Sequence, residues 1–213
     1  MSQRSRRLLI ATHSRHKLRE LRELLDVGDD VELVSPDDLG IGDEPEETGE
    51  TFETNARLKA RFYARRSGLP TLADDSGLEV DALDGAPGVR TRRYAGPAAT
   101  DEANNAKLLG ALAGRPAPER GARYVCVLAL ALPDEAGPRG GISTVVRRGT
   151  CRGRIALGPK GDGGFGYDPI FEPDPEPPGG RTLGEWSAAE KNAISHRSRA
   201  ARRMALVLRE LGF

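Results

Sequence analysis

Lysine is scarce in this chain. Only five of its 32 basic residues are lysine (Lys17, Lys59, Lys107, Lys160 and Lys191) and 27 are arginine, so each lysine invites a chemical question. Net charge is absent too. The 32 acidic residues balance the 32 basic ones, which disfavours a global field for nucleic acid and leaves room only for a local basic cleft. Cysteine is limited to Cys126 and Cys151. Two such residues make neither a disulfide framework nor a metal spacing, and their apolar or strand-like contexts read as buried thiols. Long apolar runs are also missing. The longest, Val125 to Pro133, falls far short of the roughly 20 residues of a membrane span. Arg4, Arg6 and Arg7 precede Leu8-Leu9-Ile10-Ala11, but this stretch is too short for a signal-peptide core and Thr12-His13-Ser14-Arg15 ends it. No export signal is read, so a cytoplasmic protein without membrane association is expected.

What is present is a 213-residue chain, 38% hydrophobic and 30% charged. That profile suits a globular enzyme with a buried core and argues against disorder. Residues 6–12 read as a short buried strand and 15–25 as a helix with Leu18, Leu21, Leu24 and Leu25 on one face. Val31 to Val34 read as a second strand, and this β-α-β start points to an α/β fold. Residues 37–50 read as an acidic loop. A helix is predicted over 51–66, with Thr51 as its N-cap, Thr54 where a capping-box Glu would sit, and Gly68-Leu69-Pro70 as the stop. Leu72-Ala73 leads to Asp74-Asp75 at a strand end, and 78–83 alternates like a strand. Residues 84–100 read as loop and 101–113 as a helix. Residues 122–132 are the strongest strand candidate, buried on both faces, and 142–157 read as one or two strands, a hairpin partner. Gly-rich (158–168) and Pro/Gly (172–180) loops precede one final helix over 187–211. No repeat, low-complexity tract or linker interrupts the chain. The expectation is one domain over 1–213, a mixed twisted α/β sheet flanked by helices, which admits two lobes with the active site in the cleft between them.

Four segments carry chemistry. Thr12-His13-Ser14-Arg15-His16-Lys17 lies between strand and helix, where backbone N–H groups and the positive helix end favour phosphate; it is no P-loop, and taken alone a capped surface helix with a solvated basic first turn is the commoner explanation. Glu44, Glu46, Glu47, Asp74 and Asp75 supply carboxylates of the kind that hold hard cations such as Mg²⁺, or else Asp74 and Asp75 serve a turn before Ser76-Gly77. In Gly161 to Pro169, glycines let backbone approach a flat ligand, Phe165 and Tyr167 have faces for stacking on a base, and Asp168 accepts hydrogen bonds; aromatic anchors in the core are the alternative. Glu190 to Arg197 gathers Lys191, Ser195, His196 and Arg197 near a helix start. A Ser195–His196 triad is disfavoured because adjacent helical residues point apart.

Taken in order, Thr12 to Lys17, Glu46 to Ala56 with Lys59, Ala73 to Leu78, Ala86 to Val89, Gly164 to Phe171 and Lys191 to Arg197 resemble the inosine triphosphate pyrophosphatase family, which hydrolyses deaminated purine nucleoside triphosphates. The resemblance spans nearly the whole chain. It implies that Thr12, His13, Ser14, Arg15, His16 and Lys17 hold the triphosphate and that Lys59 reaches phosphate. It implies that Glu47, or its neighbour Glu46, organises Mg²⁺ with Asp75, and that Asp75 is the general base. It places Ser76, Phe165, Gly166, Tyr167, Asp168, Lys191, His196 and Arg197 against the nucleotide. It also implies a homodimer that cleanses the nucleotide pool of ITP, dITP and XTP, giving the monophosphate and pyrophosphate. The family usually has Asn where this chain has Ser14, and often Gly where it has His16. Competing readings are a related pyrophosphatase with another base preference, a non-catalytic nucleotide sensor, and a nucleic-acid-binding module built on Arg90, Arg92, Arg93 and the Arg-rich last helix.

Overall fold

The computed structural model describes residues 6–134 and 141–213. Six strands form one sheet in the order β2-β1-β3-β4-β5-β6. They are β1 (Arg6–Ile10), β2 (Val31–Val34), β3 (Thr71–Val80), β4 (Gly121–Pro133), β5 (Ile142–Ile155) and β6 (Phe171–Pro173). β1 runs parallel to β2 (Leu8 opposite Leu33) and to β3 (Ile10 opposite Leu72), whereas β5 and β6 pair antiparallel (Gly153 opposite Pro173). The sheet is therefore mixed, as expected. The helices are α1 (Arg15–Leu24), α2 (Phe52–Ser67), α3 (Asp101–Ala111), α4 (Ala188–Ile194) and α5 (His196–Glu210). Among the described residues no helix is long and apolar enough to cross a membrane.

Two compact units divide the described residues. The first holds those up to Asp75, Cys126–Arg148 and Arg199–Phe213; the second holds Ser76–Val125 and Gly149–Ser198. The first is built on the apolar stripe of α1: Leu21 and the following Leu25 meet Leu8, Ile10, Leu72 and Leu128 of the strands and Met204 and Leu208 of α5. In the second, Leu108 of α3 and Leu112 beyond it pack with Leu78, Tyr124, Ile155, Tyr167 and Phe171. Both cysteines are buried thiols outside any disulfide.

The caps follow local chemistry. Thr51 accepts the Thr54 N–H at 3.1 Å, and the two hydroxyls lie 2.8 Å apart, so Thr54 takes over a place that a capping-box Glu fills elsewhere. Gly68 closes α2 with φ of 70°.

Several boundaries differ from the sequence expectation. Asp74 and Asp75 do not end a strand: β3 runs through them without interruption to Val80, and both are buried. The turn signal of Asp-Asp-Ser-Gly is overridden because partners from distant segments satisfy the carboxylates. The last helix is two helices. Ser195 is extended (φ −61°, ψ 156°), and its hydroxyl accepts the Ser198 N–H at 3.1 Å, restarting the chain as α5. Residues expected as loop contain short 3₁₀ turns at Asp37–Leu39 and Gly88–Arg93, and β6 lies where only loop was read. Residues 142–155 form a single strand, β5.

Candidate functional site

Two clusters of polar side chains gather the chemistry, one in each unit. In the first, β3 presents Asp74 and Asp75, 3% and 7% exposed. Lys17, one turn into α1, donates to Asp74 Oδ1, while the Cys126 thiol donates to Asp74 Oδ2 at 3.1 Å. Lys59 of α2 lies 3.4 Å from Asp75 Oδ1 and 2.9 Å from Glu47 Oε1, so one ammonium collects two carboxylates. Glu46 is exposed. The loop carrying Glu47 is tied to α2 where the Gly49 N–H donates to buried Asn55 Oδ1 at 2.8 Å; a Cβ at position 49 would collide with that oxygen.

Burial pushes the Asp75 carboxyl above its ordinary value, and the neighbouring charges of Glu47 and Asp74 add to this; Lys59 and Lys17 pull the other way. The Lys59 ammonium faces burial, which favours its neutral form, but Asp75, Glu47 and Asp74 together hold it above the usual lysine value. Among the described residues no group of three or more His, Cys, Asp or Glu is arranged to hold a metal ion.

The turn before α1 is held at its own residues. Thr12 Oγ1 accepts the Ser14 N–H at 3.1 Å, and Ser14 Oγ accepts the Lys17 N–H at 3.4 Å. Ser14, the departure from the family pattern, is thus the N-cap of α1. His13 Nδ1 lies 2.8 Å from Asp37 Oδ1 and Nε2 lies 3.1 Å from the Tyr63 hydroxyl. Burial pushes the Tyr63 phenol up to about 12, so it stays protonated. Arg15 is exposed, and the side chain of His16 lies outside the described residues.

The second cluster surrounds Asp168, 2% exposed. Asp168 Oδ2 accepts from Lys191 Nζ at 2.8 Å and from the Phe165 N–H at 3.0 Å; its Oδ1 accepts from the Tyr124 hydroxyl at 3.3 Å. Gly164, at φ of 76°, leaves the space in which Asp168 sits, and a Cβ there would overlap that carboxylate. Lys191 Nζ lies 4.5 Å and the Arg197 guanidinium carbon 5.8 Å from the Phe165 ring centre, so one half-buried ring carries two cations. Arg197 also donates to Ser76 Oγ at 3.1 Å. Gly166 is fixed through its backbone: its N–H donates to Asp101 at 2.7 Å and its carbonyl accepts from Asn105 at 3.1 Å. Tyr167 departs from the expectation of base stacking. It is 2% exposed, belongs to the second core, and donates to the Thr91 carbonyl at 2.9 Å, whereas Phe165 is only half-buried. Ser195 caps a helix and His196 begins it, so no triad forms.

Residues 8–207 match the model of the Ham1 family. The chain belongs to the Ham1 family. It is 45% identical over 205 residues to a dITP/XTP pyrophosphatase of Lactobacillus acidophilus, covering 96% of this chain and 98% of that one. A solved structure of a HAM1 protein from Coxiella burnetii is 40% identical with a TM-score of 0.83, covering 96% of this chain and 99% of that one. The Staphylococcus aureus Ham1 protein gives 37% and 0.82, covering 97% and 100%.

Sequence reading of this Ham1 chain missed the residues that hold the others in place: Asn55, Asp101, Asn105, Tyr124 and Cys126. The buried amides had a faint signal, since an Asn104-Asn105 pair is unexpected inside a helix. Tyr124 and Cys126 had none, because they sit in a strand that reads as plain core. An open groove of about 630 Å³ along α2, lined by Arg57, Arg61, Phe62 and Arg65 among others, contains none of the residues of either cluster.

Proposed function

We propose that this protein hydrolyses the triphosphates of deaminated purines (ITP, dITP and XTP) to the nucleoside monophosphate and pyrophosphate, with Mg²⁺ as its cation. The observation that carries this reading is the pair of buried β3 carboxylates, each held by its own lysine, in a chain so similar to proteins named dITP/XTP pyrophosphatase. Oxygen-only donors suit a hard cation, and Glu47 and Asp75 already converge on one positive charge. These two would hold Mg²⁺, with polyphosphate oxygens and water completing its shell. When bound, the cation neutralises charge on the polyphosphate.

The protein's own groups account for the rest. Lys17, Lys59 and the N-terminus of α1 attract the triphosphate. Asp75, its carboxyl raised by burial, is suited to take a proton from the water that attacks the α-phosphorus. Lys17 and Lys59 stabilise the departing pyrophosphate. In the second cluster, Phe165 offers a face to the purine, and Lys191, His196 and Arg197 offer donors to the oxygen at position six of hypoxanthine or xanthine. Adenine carries a donor there, so its binding would leave buried donors unpaired at about 1–3 kcal/mol each. Guanine is excluded less strongly, at its two-amino group. The family resemblance further supports a cytoplasmic homodimer that takes nucleotides and not nucleic acid as its partners.

The test is pyrophosphate release from ITP and from ATP, with and without Mg²⁺. Strong preference for ITP, dependent on the metal, is expected. Values of kcat/KM within about tenfold for ITP and ATP, only about 1.4 kcal/mol apart, would overturn the donor-pocket account.

A further inference from the structure

Tyr124 is 6% exposed on β4 and has no place in the sequence motifs, yet it touches two residues of the second cluster. Its ring lies nearly parallel to the His196 imidazole, with centroids 4.7 Å apart and planes at 9°. Its hydroxyl donates to Asp168 Oδ1, and the other oxygen of Asp168 is held by Lys191 and the Phe165 N–H. The ring also meets Phe171 at 4.8 Å, which ties it to β6. Burial first, then the charge of Asp168, holds its phenol well above the ordinary tyrosine value, so it remains a donor at neutral pH.

A parallel ring in contact with an imidazole blocks rotation about the bond that joins that imidazole to its backbone. Hydrogen bonds weaken steeply as their angle closes, and selectivity between two bases is a difference of two binding energies. A donor that turns freely would satisfy an oxygen less well and adapt to an amino group better.

We infer that Tyr124 is a positioning residue for base selectivity: it fixes the plane of His196 by stacking. This rests on the reading above that the second cluster receives the purine base. Tyr124 touches no substrate in this account and acts through His196.

The experiment measures kcat and KM for ITP and ATP in wild type, Tyr124→Phe, Tyr124→Leu, His196→Ala and the Tyr124→Leu/His196→Ala double variant. Tyr124→Phe keeps the ring and is expected to keep the ITP-to-ATP ratio of kcat/KM within about threefold. Tyr124→Leu removes the plane, and the ratio is expected to fall by about tenfold or more, with the change mainly in KM for ITP. In the His196→Ala background, Tyr124→Leu should change the ratio no further, because the residue through which it acts is gone. If Tyr124→Leu does not fold, Tyr124→Met carries the same comparison, and the ring-current shift of the His196 imidazole protons by NMR, retained in Tyr124→Phe, checks the stack without any core-shrinking variant. A folded Tyr124→Leu or Tyr124→Met with an unchanged ratio, an equal fall in both backgrounds, or an unshifted His196 signal overturns the positioning role while leaving the activity intact. A wild-type protein that releases no pyrophosphate from ITP overturns the proposed function and this role with it.

Discussion

Replacing Lys191 by Met tests the second cluster at its most buried charge pair. Methionine keeps the length of the stem but removes the ammonium that sits 2.8 Å from Asp168 Oδ2, where the two side chains are only 8% and 3% exposed. Breaking a buried pair from one side costs about 3–5 kcal/mol, because the surviving charge stays out of water. Asp168 retains the Phe165 N–H and the Tyr124 hydroxyl, which places the expected loss near the lower end, about 3 kcal/mol. For a chain of this length that corresponds to a fall in Tm of about 6–12 °C. Thermal unfolding should be followed at pH 7 without nucleotide, so that ligand stabilisation does not mask the loss. Turnover of ITP should fall as well, since the Phe165 face loses one of its cations. The double variant Lys191→Met/Asp168→Asn removes the stranded charge and should regain at least half of the lost stability. A Lys191→Met protein within about 2 °C of wild type, or a double variant less stable than the single one, would refute the account of a paired buried charge.

Asp75→Asn keeps shape and is expected to fold normally while losing at least about a hundredfold in kcat, measured at saturating Mg²⁺. In the metal-free protein the Asp75 carboxyl should titrate above the ordinary aspartate value because burial raises it, and Lys59→Met, which removes a charge that lowers it, should move that titration to higher pH when followed by NMR. Lys17→Ala should weaken triphosphate binding more than nucleoside binding, and equal losses by calorimetry would contradict its phosphate role. Arg120→Met removes a buried guanidinium that donates to the carbonyls of Ile155, Leu112 and Ala156 at 2.7–2.8 Å; a loss of about 3–5 kcal/mol in urea unfolding is expected, with the ITP-to-ATP preference unchanged.

Much of the candidate site was legible in order along the chain. Thr12 to Lys17, Lys59, Asp74-Asp75, Phe165 to Asp168 and Lys191 to Arg197 stand out because they are charged or glycine-rich where core or loop would ordinarily continue. The choice between Glu46 and Glu47 was not legible. Adjacent loop carboxylates carry the same local signal, and only the position of Lys59 separates the one it binds from the one in solvent. Tyr167 likewise looked equivalent to Phe165 until the second core claimed its ring.

The sequence by itself determined what depends on neighbours a few residues away. The leucine face of α1, the Thr51 and Gly68 ends of α2, and the β-α-β opening are set by short-range periodicity and capping, whose partners lie within one turn. Tertiary structure alone decided what depends on partners far along the chain. Asp74 and Asp75 stay within a strand because Lys17, 57 residues away, and Lys59, 16 residues away, supply their counter-charges. Tyr124 became part of the second cluster because His196 and Asp168, remote in sequence, close on it. A buried charge or a stacked ring is stabilised by whatever the fold brings to it, and no local pattern records which residue that will be.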